Sequence, residues 1–134
     1  MTEVEVAEYR KFWRERAARE AARQRELASQ ARAEAIRVAE VLVRDFGATR
    51  VYLFGSLLQE GRFHERSDVD LAVEGIAPER FFKTWAAVGA DVCVPIELVD
   101  IDEVGETMRD LILEHGELLC DASADGGRGR IGRR

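Results

Sequence analysis

Apolar and polar positions along this chain fall into two regimes. From Glu3 to Phe46 there is no glycine or proline, and Ala, Arg and Glu dominate, a composition that favours one long helix. Tyr9, Trp13, Ala17, Ala21, Ala28, Ala31, Ala35, Val38 and Leu42 fall close to one helical stripe, with bulky residues at both ends and alanines between. A helix of this length runs roughly 60 Å, longer than a core built from the rest of the chain can cover. Its second half, Ile36 to Phe46, has the bulk to pack on that core. The first half is expected to project, to bend back or to bind another chain, with Tyr9, Phe12 and Trp13 as a contact surface.

Beyond Gly47, a helix-stopping position, the apolar runs shorten. "RVYLF" (Arg50 to Phe54) reads as a buried strand, "SLLQE" as a short helix ending at Gly61, and "RFHERS" as a polar loop. "DVDLAV" reads as a second strand, broken by Gly75. "PERFFKTWAAVGA" predicts a helix with Pro78 at its first position, and "DVCVPIELVDI" a third strand in which Pro95 marks a bulge or an edge. "DEVGETMRDLILEHG" predicts a final helix stopped by Gly116, and "ELLCD" a short terminal strand. The expected architecture is α/β (α+β): a small mixed sheet with flanking helices, preceded by the long helix. On this pattern residues 1–46 are expected to form that helix, 47–121 a single domain, and 122–134 a disordered tail whose four arginines are solvated.

Composition narrows the function. With 20 basic and 26 acidic side chains the chain carries a formal charge of −6, which argues against broad nucleic-acid binding. The imbalance is local: residues 1–45 carry ten basic and nine acidic side chains, whereas 46–124 carry six and sixteen. An anionic substrate there needs metal ions or local dipoles. Cys93 and Cys120 match no zinc or redox spacing and read as buried thiols of a reducing compartment. No apolar run approaches the length of a membrane span, and no signal sequence is evident, so a cytoplasmic location is expected.

The chemistry concentrates between Leu53 and Val73. Gly55 follows a strand directly and Ser56 opens the next turn, so backbone can approach a phosphate closely there; taken alone, Ser56 is equally well a helix cap. Asp68 and Asp70, at i and i+2 of a strand, share one face with Cα atoms about 7 Å apart, and such carboxylates suit hard cations. Strands otherwise disfavour aspartate. Glu97 alternates with Ile96 and Leu98 in the third strand. If that strand lies beside the second, three acids converge on one face, an arrangement that repels itself without cations. Asp102 reads as a helix cap, His115 as a complement to a helix C-terminus, and Ser67, His64, Arg62 and Arg66 as loop residues.

The compound pattern "GSLLQEGRFHERSDVDLAV" followed by "PIELVD" resembles the signature of the minimal nucleotidyltransferases of the DNA polymerase β superfamily, among them the MntA-like antitoxins of HEPN/MNT systems. The resemblance covers roughly Val51 to Cys120. It implies a nucleotidyltransferase fold and a metal-dependent transfer of a nucleoside monophosphate from a triphosphate to a hydroxyl. Gly55 and Ser56 would hold the outer phosphates, Asp68 and Asp70 two Mg²⁺ ions, and Glu97 the ion that activates the acceptor. It also implies ATP as donor and a helical HEPN-domain ribonuclease toxin as partner, adenylylated on a tyrosine. Two features depart from the pattern. Eleven residues separate Ser56 from Asp68, one more than is commonest, and the third acid is Glu where Asp is usual. The alternative is therefore a weakly active or inactive subunit that neutralises its partner by binding.

Overall fold

The computed structural model describes residues 1–123. The glycine-free segment is a single helix, α1, Glu3–Phe46. Thr2 opens it with a capping box: the Glu5 N–H donates to the Thr2 hydroxyl at 3.1 Å and the Thr2 N–H to the Glu5 carboxylate at 2.8 Å, so two otherwise orphaned donors are satisfied. Gly47 closes it in the left-handed region at φ 83°, where a glycine carries no Cβ penalty.

Four strands follow, β1 Arg50–Phe54, β2 Val69–Glu74, β3 Ile96–Asp100 and β4 Glu117–Asp121, with helix α2 Pro78–Gly89 between β2 and β3 and α3 Glu106–His115 between β3 and β4. Their spatial order is β3-β2-β1-β4. β1 runs antiparallel to β2 and β4, and β2 runs parallel to β3. The parallel pair needs a crossover, which α2 supplies. This is the expected mixed α+β sheet with flanking helices and a long helix ahead of it.

Alternation along the strands gives the sheet two unequal faces. Val51, Leu53, Val69, Leu71, Val73, Ile96 and Leu98 pack with Ala31, Ala35, Val38 and Leu42 of α1 and with Phe81 and Val88 of α2. Tyr52, Phe54, Ala72 and Val99 face the other way, where, among the described residues, Ile101 and Ile112 complete a small cluster. On that side α3 packs chiefly on β1, which leaves the β2–β3 edge open. Arg50 ties β1 to both neighbours, reaching Glu74 at 3.0 Å and Asp121 at 3.4 Å.

Several local expectations are corrected. "SLLQE" forms one 3₁₀ turn, Ser56–Leu58, because Gln59 has already returned to extended backbone. β3 begins at Ile96 rather than at Asp91; Pro95 lies just before it, accepting the Val69 N–H at 2.9 Å through its carbonyl, and β3 is indeed an edge strand. Gly116 ends α3 in extended backbone, φ −73°. Space demands glycine there: a Cβ would stand 2.5 Å from the Ile112 carbonyl oxygen and 3.1 Å from that of Leu53. Cys120 is buried but Cys93 is exposed, since the segment before Pro95 lies outside the sheet. The predicted tail falls, from residue 124 onward, outside the described residues.

Candidate active site

Asp70 enters the open face because β2 alternates: Val69 and Leu71 are buried in the core beneath, so the residue between them must point outward. β3 lies alongside in register, with Asp70 the Cα partner of Glu97, so the third acid joins the same face. Asp68 sits one residue ahead of β2 and is exposed, as is Glu97. Trp85 of α2 anchors the edge strand, its indole N–H donating to the Ile96 carbonyl at 2.8 Å, and thereby positions the strand that carries Glu97.

Gly55 forms the wall opposite. β1 pairs Phe54 with Asp70, and the chain then turns at Gly55 with φ 88°. A Cβ on Gly55 would fall 2.1 Å from Asp70 Oδ2. The glycine is therefore required twice, for its positive φ and for the carboxylate pressed against it. Gly55 also occupies the cap position of the 3₁₀ turn, so Ser56 is the first residue inside the turn and does not serve as its cap.

The electrostatics record the crowding. Asp70 is pushed up to about 6, first by burial and then by the charges of Asp68 and Glu97. A carboxyl held half-buried beside two like charges resists ionisation, and a divalent cation with oxygen preference matches that donor set. In donor chemistry the residues fit Mg²⁺. Among the described residues, however, no group of three His, Cys, Asp or Glu side chains is gathered closely enough to hold a metal ion. Like charges at exposed positions spread into solvent unless a cation draws them in.

A cleft of about 550 Å³ opens beside Gly55, lined by Phe54, Leu58, Met108, Leu111 and His115 among others. Sequence reasoning assigned His115 only to the helix end and missed Met108 and Leu111. Their signal was their spacing on α3 with Ile112, which puts apolar side chains on one edge of the helix although 108 and 111 remain exposed. Asp102 is no cap: Gly105 occupies the cap position of α3, and the Asp102 N–H instead donates to Asp100 Oδ1 at 3.0 Å. The His64–Ser67 loop folds on itself, the His64 N–H donating to the Ser67 hydroxyl and the Arg66 N–H to His64 Nδ1.

The sequence family described as polymerase beta, nucleotidyltransferase, matches residues 37–125. The chain belongs to that family. A comparison with curated protein sequences gives no match. Among solved structures, a variant of the toxin–antitoxin complex MntA–HpeT, in which two aspartates two positions apart are changed to glutamate, is similar at TM-score 0.51 and 17% identity, covering 61% of this chain and 68% of that one. A toxin–antitoxin complex with AMP-PNP is similar at TM-score 0.52 and 20% identity, covering 63% and 70%. At such identities the likeness is one of fold. Among the described residues no helix is long and apolar enough to cross a membrane.

Proposed function

We propose that the protein is a metal-dependent nucleotidyltransferase that moves AMP from ATP to a hydroxyl of a partner protein, and that the partner is a helical HEPN-type ribonuclease toxin neutralised by the modification. The observation that carries this reading is the register of Asp70 with Glu97 on a face whose opposite wall is Gly55. The matching family is described as one of nucleotidyltransferases, and the fold-level relatives include a toxin–antitoxin complex with AMP-PNP.

Gly55 and Ser56 would bring backbone against the outer phosphates, and the apolar cleft beside them has the size of a small-molecule site, suited to the nucleoside. Asp68 and Asp70 would hold two Mg²⁺ ions and Glu97 the one nearer the acceptor. Bound there, Mg²⁺ would supply positive charge against the triphosphate and the acceptor oxygen. The acceptor oxygen then forms its bond to the α-phosphorus as the bond to the β-phosphate oxygen breaks, and pyrophosphate departs. The Glu97 carboxylate takes the hydroxyl proton. Most of the catalytic gain comes from alignment and charge neutralisation.

The test is mass measurement of the co-purified partner after incubation with ATP and Mg²⁺. Added AMP that disappears with Asp68→Asn, Asp70→Asn supports the reading; an unmodified but competent partner overturns it. One observation favours a second reading, a subunit that neutralises by binding alone: Asp68 and Glu97 are both exposed and stand apart from a coordinating set. Neutralisation that survives the double substitution would select it.

A further inference from the structure

Residues 7 to 19 of α1 are all exposed, ahead of Arg23, which pairs with Glu65, and the family match begins only at residue 37. Within this overhang Tyr9 packs edge-on against Trp13, with ring centroids 6.1 Å apart, and Phe12 against Trp13 at 5.3 Å. All three rings are about half exposed: Tyr9 57%, Phe12 50% and Trp13 47%. Three large aromatics clustered on a free helix are a contact surface looking for cover.

The charges around them say what covers it. Glu5, Tyr9, Phe12 and Arg16 succeed one another at spacings of four, three and four, the seam of a two-helix pairing. Along the seam the order is acid, aromatic, aromatic, base. Parallel pairing of two copies would set Glu5 against Glu5 and Arg16 against Arg16. Antiparallel pairing that seats Tyr9 against Phe12 and Trp13 of the other copy sets Glu5 against Arg16 at both ends. The pattern is thus self-complementary under a two-fold axis, as an isologous interface requires. Arg16 already lies over the Trp13 ring, its guanidinium carbon 5.6 Å from the ring centroid, so its charge sits at the edge of the aromatic patch.

We propose that the N-terminal third of α1 is a homodimerisation device: two copies of this chain pair antiparallel through Tyr9, Phe12 and Trp13, flanked by two Glu5–Arg16 contacts. The device lies at the far end of α1 from the sheet, so each copy keeps its acidic face open.

Sedimentation equilibrium of the full chain tests this, with far-UV circular dichroism to verify that each variant keeps its helix. Wild type should dimerise, and Trp13→Glu should weaken the dimer by at least about tenfold. Arg16→Glu, which leaves the helix cap untouched, and Glu5→Arg should each weaken it about tenfold, and an equimolar mixture of the two should dimerise like wild type. A monomeric wild type, a dimer indifferent to Trp13→Glu, or one indifferent to Arg16→Glu would overturn the proposal. So would an overhang that is monomeric alone and covered only by a different protein.

Discussion

Asp70 and Glu97 are register partners on adjacent parallel strands, and the carboxylate of Asp70 lies against the bare backbone of Gly55. Two acids held side by side by sheet geometry cannot relax apart at the backbone. Their repulsion is therefore built into the fold, and it can be read from outside.

Asp70→Asn should stabilise the protein at neutral pH. Asp70 is raised to about 6 in the folded state, chiefly by burial, so folding favours its protonated form. Stability from this group is full below the ordinary carboxylate range and is lost as pH rises through about 6. With solvent screening allowed for, the wild type should give up roughly 1–2 kcal/mol by pH 7.5. Thermal denaturation should place the Asn variant above wild type at pH 7.5, with the gap closing near pH 4. An equal gap at both pH values would contradict the argument.

Gly55→Ala should be costly out of proportion to one methyl group. The new Cβ meets Asp70 Oδ2 at 2.1 Å and the backbone must hold φ 88° with a side chain attached. Positive φ and displacement of the carboxylate together should cost about 2 kcal/mol or more in chemical denaturation. Gly61→Ala is the control: its φ of 79° is similar, but nothing lies within 4 Å of its Cβ, so it should cost only about 1 kcal/mol.

Replacing Glu97 separates charge from reach. On the proposed function, Glu97→Gln should reduce AMP transfer about 100-fold, since a missing ligand charge at the reacting oxygen costs that much. Glu97→Asp should retain transfer. Both exposed substitutions should leave the melting temperature nearly unchanged, so a parallel loss of stability would assign the effect to folding instead.

Trp85→Phe should loosen the edge strand. Without the indole N–H, the Ile96 carbonyl loses its 2.8 Å hydrogen bond, at a cost of about 1 kcal/mol. Amide hydrogen exchange should rise in β3 while β1 and the second half of α1 stay protected; a uniform rise would contradict a positioning role for Trp85.

Much of this was legible in the sequence for identifiable reasons. The span of α1 follows from an unbroken run without Gly or Pro, bounded by Thr2 and Gly47. Asp68 and Asp70 were conspicuous because a strand has no use for them, and Glu97 because it interrupts an apolar alternation. What joins them, the parallel pairing of β2 with β3, is a long-range contact that no local pattern encodes. The same limit hid the cleft, since Met108 and Leu111 gain meaning only when α3 lies beside Gly55. Gly116 looked like an ordinary helix stop, whereas its reason is the closeness of the Ile112 and Leu53 carbonyls. The 3₁₀ turn at Ser56 fell short of the expected helix because too few residues separate Gly55 from the loop for longer hydrogen bonding to pay off.

The central claim is that the face bearing Asp68, Asp70 and Glu97 binds nucleoside triphosphate through divalent cations. Equilibrium binding of labelled ATP to the full chain tests it most directly, with Mg²⁺ or with EDTA, for wild type and for the Asp68→Asn, Asp70→Asn variant. The account predicts binding in Mg²⁺ that weakens at least about tenfold in EDTA and in the variant. Binding that is indifferent to both, or no binding by a folded wild type in Mg²⁺, would contradict it.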